Sequence, residues 1–223
     1  MDTVVAPRRD ELGKFQGVVS AFPSAFSGLV LDVGARSGSL QQAIEDRPCH
    51  YFALDLQSPA DIIANAEHGL PFLDASFDTV IALDVLEHTN EIHRAFAEIC
   101  RVASKCVVLS LPNIYVLELR WRFLRGHPIG KKYGLPAEPV KDRHRWVLSF
   151  EEAQDFCSVR APIEGFRLSA EAALVGPRRG FGPAKWLIEK LPNLLAPTYV
   201  ALLKRGIPTT PPTPDRRHFR SAS

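Results

Sequence analysis

Two histidines in this sequence have the chemistry to take a hydroxyl proton near neutral pH, His88 and His144. His88 closes the run Asp84-Val85-Leu86-Glu87-His88. His144 lies in Asp142-Arg143-His144-Arg145-Trp146, where Arg143 and Arg145 are suited to an anionic group. Two acids, Asp32 and Asp55, each end an apolar run and stand 23 residues apart. Between them, Gly34 and Gly38 let a backbone come close to a ligand. A glycine turn followed by a second acid suits a nucleotide-type ligand, with backbone N–H groups for its polar atoms and a carboxylate for ribose hydroxyls. Each histidine also has a structural alternative. His88 can pack at the start of the next helix, His144 can anchor its own segment, and a reaction without a general base stays open.

The elements that must position these residues follow from pattern. Leu29-Val30-Leu31-Asp32-Val33 is a short, β-branched apolar run, the signature of a buried parallel strand. Ser39-Leu40-Gln41-Gln42 reads as a capping box opening a helix over 39–46. His50-Tyr51-Phe52-Ala53-Leu54-Asp55 is the next strand, and Ser76 to Leu83 leads into another. A helix carrying Ile92, Ala95, Phe96, Ile99 and Ala103 on one face precedes the strand Cys106–Leu111, which Pro112-Asn113 stops. Ahead of all of these, Leu12, Phe15, Val18 and Val19 recur at helical spacing within 9–22. Late in the chain, Ser149-Phe150-Glu151-Glu152 is a second capping box opening a helix to about Val159. Gly165–Val175 reads as strand, Trp186–Leu195 as a helix interrupted by Pro192, and Tyr199–Leu203 as a last strand.

The glycine turn lacks the third glycine of a dinucleotide fingerprint and the Lys-Ser/Thr of a P-loop. It resembles the first motif of the class I, Rossmann-like S-adenosylmethionine (SAM) methyltransferases, Asp-x-Gly-x-Gly-x-Gly, with Asp32, Gly34 and Gly38 in place and Arg36 where the middle glycine stands. The resemblance continues in order. Asn65-Ala66-Glu67 precedes Leu70-Pro71-Phe72, then Ser76-Phe77-Asp78 leads into the fourth strand, which ends in Leu86-Glu87-His88. It implies SAM as cofactor, held by Asp32, Gly34, Ala35, Gly38, Asp55, Leu56, Asn65, Ala66 and Leu83. In that family an Asp at the Asn65 position accepts from the adenine amino group, and Asn keeps a carbonyl acceptor for it.

Composition bounds the rest. At 223 residues, 46% hydrophobic and 23% charged, the chain suits one α/β domain, and a net charge of +2 does not favour nucleic acid as partner. Cys49, Cys100, Cys106 and Cys157 form no C-x-x-C pair and read as free thiols rather than metal ligands. The N-terminus lacks a basic-then-apolar signal pattern, and no apolar run reaches membrane-spanning length. The expected location is the cytoplasm.

The segment 114–147 departs from the plain fold. From Ile114 to Arg125 it is amphipathic, and across 114–147 eight Lys/Arg face three acids. This concentration of positive charge suits a phosphate- or carboxylate-bearing acceptor, or peripheral membrane contact through 114–125. The plain alternative is a solvated, salt-bridged lid.

The expected architecture is therefore a doubly wound, seven-stranded, mostly parallel sheet with helices on both faces and a lid inserted after the strand Cys106–Leu111. Its parts are an N-terminal helical cap (1–27), the methyltransferase domain (28–204, insertion 114–147) and a disordered tail (205–223). The Asn/Asp-Pro-Pro-aromatic tetrapeptide of amino-methylating nucleic-acid enzymes is missing after the fourth strand. The resemblance then implies methylation of a small-molecule, lipid or glycan acceptor, with a hydroxyl preferred over an amine. A methyltransferase-like protein that binds a ligand or partner without catalysis is the alternative, since Arg36 could crowd the cofactor.

Overall fold

The structure, a computed structural model, describes residues 1–7, 10–36, 38–130, 132–135, 137–138, 142–177 and 183–206. Strands β1 (Asp2–Val5), β2 (Gly28–Val33), β3 (Cys49–Asp55), β4 (Ile62–Ile63), β5 (Phe77–Leu83), β6 (Ala103–Pro112), β7 (Phe166–Val175) and β8 (Thr198–Arg205) form one sheet. Their order is β1-β7-β8-β6-β5-β2-β3-β4. Only β8 runs antiparallel to its neighbours, β6 and β7. The chain builds outward from β2 to β3 and β4, then returns to lay β5 on the other side of β2. Strand direction of travel thus reverses at β2/β5, which opens a crevice at their carboxyl ends.

Helices cover both faces. On one, α3 (Ile92–Val102) and α5 (Phe150–Ile163) bury Phe96, Ile99, Phe150 and Cys157 against Leu31, Val80 and Val107. On the other, α1 (Glu11–Ala21) and α2 (Ser39–Ala43) bury Phe15, Val18 and Leu40 against Val30, Ile81 and Val108. The central strands are apolar on both sides, and that is why they read as continuous hydrophobic runs. The Ser149 capping box is formed as its sequence implies. After β6 comes α4 (Leu117–Leu124), and the described residues between it and Ser149 belong to no helix or strand. Two short helices, α6 (Pro183–Lys190) and α7 (Pro192–Leu195), divide at the proline. Among the described residues no helix is long and apolar enough to cross a membrane.

Three expectations are corrected. The sheet has eight strands rather than seven, because Thr3, Val4 and Val5 pair in parallel with β7 ahead of the N-terminal helix. That strand is too short for its alternation to show in sequence. Ser39 is not a helix cap: Gly38, at φ +69°, takes the N-cap position, and α2 has five residues instead of the eight expected. The tail does not begin at 205, since the Arg205 guanidinium donates to the carbonyls of Ala103 (2.6 Å) and Cys100 (3.2 Å) and lies over the Phe166 ring. Residues 207–223, Ser37, Lys131, Pro136 and Lys141 lie outside the described residues.

Candidate active site

The β2–α2 turn is held in one shape by backbone bonds. Gly34 has φ +79°, and a Cβ there would stand 2.5 Å from Val85 Cγ2, so only glycine fits. The N–H groups of Gly34 and Ala35 both donate to the Leu54 carbonyl, at 2.7 and 3.1 Å, which ties the turn to the end of β3. The Asp55 carboxylate then accepts from the Arg36 N–H at 3.1 Å and from the Leu56 N–H at 2.6 Å. Each of its oxygens keeps lone-pair capacity beyond these bonds. A Cβ at Gly38 would meet only the Gln41 side chain at 3.9 Å, so the turn has open space before it.

Arg36 also has a positive φ, +34°. Its guanidinium reaches away to Asp142, with Nη2 3.1 Å from Oδ1. Asp32 lies under the turn, 4% exposed, and accepts from Tyr51 Oη at 2.6 Å. Burial pushes its carboxyl up to about 7, with Tyr51 opposing and Asp55 and Glu11 adding to the rise. Asp84, at the end of β5, pairs with Lys14 of α1 and with the Ser110 hydroxyl. Burial raises its carboxyl, but Lys14 and Ser110 outweigh that and hold it below the usual range.

Asn65 Oδ1 accepts from the Glu67 N–H at 2.9 Å and caps the 3-10 turn Ala66–His68. Glu67 in turn accepts from the N–H groups of Asn90 and Glu91, joining this turn to the loop after β5. Ala66 and Leu83 are buried, and Leu56 is exposed.

The two histidines, 56 positions apart, are brought together. His88 ends the 3-10 turn Leu86–His88, and residues 142–146 lie against it. The Arg145 N–H donates to the Glu87 carbonyl (2.8 Å), and Trp146 Nε1 donates to that of Thr89 (2.8 Å). The imidazole rings of His88 and His144 meet edge to face with centroids 4.6 Å apart. His88 Nδ1 faces two acceptors, the Arg143 carbonyl at 3.0 Å and Asp142 Oδ1 at 3.1 Å, so it carries the hydrogen and Nε2 keeps its lone pair. His144 Nδ1 lies 2.7 Å from Tyr133 Oη, and its Nε2 lies 4.0 Å from Glu87 Oε1. Glu87 is 1% exposed. Burial lowers both rings, aided by the other ring and Lys132 at His144, which falls to about 4, and by Lys132 at His88. Both are neutral bases at pH 7. Burial and the nearby Asp84 push Glu87 up to about 8.

Residues 31–109, from β2 to β6, match the family model described as the methyltransferase domain. Here the chain carries a methyltransferase-domain signature. No curated protein sequence matches the chain. Among solved structures it resembles a SAM-dependent methyltransferase from Archaeoglobus fulgidus, 17% identical, covering 88% of this chain and 96% of that one, with a TM-score of 0.55. It also resembles magnesium protoporphyrin IX methyltransferase from Synechocystis with bound SAH, 14% identical, covering 87% and 83%, TM-score 0.55. The [4+2]-cyclase SpnF is similar at 15% identity, covering 87% and 81%, TM-score 0.54. The fold is the Rossmann-like α/β fold of the methyltransferases, and the cyclase makes plain that this fold does not dictate one reaction.

Within that methyltransferase fold, Arg143 and Arg145 line an open polar depression of about 410 Å³ together with Asn90, His144 and Trp146. Sequence reading passed over Lys14, Tyr51, Glu87, Tyr133 and Asp142 as functional candidates. Asp142 stood beside His144 in the same motif, but its link to Arg36 and His88 spans parts of the chain that no spacing rule connects.

Proposed function

We propose that the chain is a SAM-dependent methyltransferase acting on a hydroxyl of a small-molecule, lipid or glycan acceptor. The observation that carries this reading is the Asp55 carboxylate fixed beside an open, glycine-shaped turn at the crevice between β2 and β5. The fit is favourable because Gly38 leaves the backbone bare and the Arg36 side chain is turned to Asp142. SAM, when bound, supplies an electrophilic methyl group. Asp55 accepts from its ribose hydroxyls, while Gly34, Ala35 and Gly38 line its methionine side with backbone atoms. Asn65 and Ala66 meet the adenine edge, between Leu56 and Leu83. Asp32 supports the turn from beneath through Tyr51.

The acceptor lies toward Glu87, His88 and His144. The buried, unpartnered Nε2 of His88, oriented by Asp142 and the Arg143 carbonyl, is the candidate to take a proton from an acceptor hydroxyl that reaches it; His144 is the second candidate. Arg143 and Arg145 bind an anionic group on the acceptor. Residues 142–146 act as a lid, and Arg36–Asp142 latches them to the turn.

One observation favours an acceptor carried on a membrane. None of the residues of α4 is buried, and Leu117, Trp121, Phe123 and Leu124 are exposed beside Arg120, Arg122 and Arg125. A helix with this composition binds the interface of an anionic bilayer. The non-catalytic alternative draws on Arg36 at a glycine position, and its turned guanidinium weakens that argument. Calorimetry with SAM on the purified chain tests the reading: one site is expected, and no heat of binding would remove it.

A further inference from the structure

Glu87, His88 and His144 make a donor set that the transferase reading does not account for. One ligand atom from each lies within 4.8 Å of the others. Two of the atoms facing this space, Glu87 Oε2 and His88 Nε2, are buried and have no hydrogen-bond partner among the described residues. A buried carboxylate oxygen and an imidazole nitrogen left unpaired are costly unless something fills the gap. Two neutral imidazoles and one carboxylate are the ligand types of zinc and of non-haem divalent iron sites.

The surroundings are arranged as metal sites require. A ligating histidine uses its outer nitrogen for a carboxylate or carbonyl, which fixes the tautomer and aims the other nitrogen inward. His88 Nδ1 meets Asp142 Oδ1 and the Arg143 carbonyl, and His144 Nδ1 meets Tyr133 Oη. The inner nitrogen of His88 is thereby left for a third party, and that of His144 is left when its Nδ1 donates to the Tyr133 oxygen. Metal bonds of about 2.0–2.2 Å draw ligand atoms to roughly 3–4 Å apart, a small contraction from the present spacing. Lys14 is engaged by Asp84, and Arg36 and Lys132 by Asp142, so the Glu87 carboxyl is the group left to meet a cation.

We propose that Glu87, His88 and His144 bind one divalent transition-metal ion, of which Zn²⁺ is the expected case, with further positions left for water or an acceptor oxygen. The ion joins the end of β5, through Glu87 and His88, to the crossing segment, through His144. With it bound, the two histidines hold metal rather than a proton, and an acceptor oxygen is polarised by the ion instead. The binding itself does not depend on the transferase reading.

The test uses the full chain, stripped with a chelator and titrated with Co²⁺ under visible absorption, then with Zn²⁺ in competition. Expected are one equivalent of Co²⁺, a d–d band of low coordination number, and displacement by Zn²⁺. His144→Ala and Glu87→Gln should each weaken binding by at least about 100-fold, and Asp142→Asn by about 10–100-fold through loss of His88 orientation. Melting curves of the metal-free variants check folding. If Glu87→Gln does not fold, His144→Ala and Asp142→Asn carry the comparison. No saturable uptake at micromolar metal, or equal affinity in parent and folded variants, overturns the proposal. SAM calorimetry on the same stripped protein reads the transferase proposal separately, so either can fail without the other.

Discussion

Arg36 Nη2 lies 3.1 Å from Asp142 Oδ1, and this ion pair joins the glycine turn to the segment that crosses the sheet edge. Asp142 also meets Lys132 and His88, so one carboxylate gathers the turn, the crossing segment and the histidine corner. Both partners of the Arg36–Asp142 pair are about half exposed, so its worth to overall stability is small, about 0–1 kcal/mol. Its effect is local. Arg36→Gly should leave the melting temperature nearly unchanged while hydrogen exchange across 142–146 speeds up. It should also keep SAM affinity within about tenfold, an effect below 1.4 kcal/mol. A much larger gain in affinity would mean that Arg36 obstructs the cofactor after all.

Asp55→Ala should weaken SAM by about 2–3 kcal/mol, since charge-assisted bonds to the ribose are lost. Calorimetry on the folded variant measures this, and an unchanged affinity removes Asp55 from the site.

Asn65→Leu has two expected effects. Loss of the cap over Ala66–His68 should cost about 1 kcal/mol of stability, and loss of the adenine contact roughly 1–2 kcal/mol of SAM affinity. Asn65→Asp keeps both acceptors and should restore both measurements. A stability loss with SAM affinity intact would make Asn65 a turn residue alone.

The pH dependence of stability should show Asp32. Its carboxyl rises from an ordinary 3.8 to about 7 on burial, with Asp55 and Glu11 adding to the rise and the Tyr51 bond opposing it. Between those values the folded chain keeps a proton that the unfolded chain has released, so this group makes stability fall as pH rises from about 4 to about 7. Asp32→Asn, whose amide oxygen still accepts from Tyr51, should flatten that slope in thermal melts. Equal slopes in parent and variant would contradict the assignment.

The strands around the site were legible because residues buried on both faces have to be apolar, as in Val80–Leu83, with Asp32 the one buried acid in Val30–Val33. The glycine turn was legible because Gly34 has no substitute where Val85 presses on it. Contacts between distant segments were not. Nothing in the order Glu87-His88 or Asp142-Arg143-His144 says that the two runs close on one another, and β1 is too short to announce itself. Ser39 misled because its capping pattern ignores the left-handed glycine just before it.

Membrane contact is tested by flotation with anionic and neutral vesicles. Trp121→Ser combined with Leu124→Ser, on one face of α4, should abolish binding to anionic vesicles while leaving the melting temperature unchanged, because α4 has no buried residue. Equal binding by parent and variant would show that α4 is not the contact.

Turnover separates the histidines once an acceptor is in hand. His88→Ala and His144→Ala should each bind SAM normally, and at least one should lose methyl transfer by about 10²–10⁴-fold. Parent-like rates in both would leave positioning alone as the source of catalysis.

Isothermal titration of the full chain with SAM tests the central claim most directly, with Asp55→Ala run beside it under the same buffer. The account requires one site in the parent and a loss of about 2–3 kcal/mol in a variant that melts normally. A folded parent that gives no binding heat and no shift in melting temperature with excess SAM would contradict it.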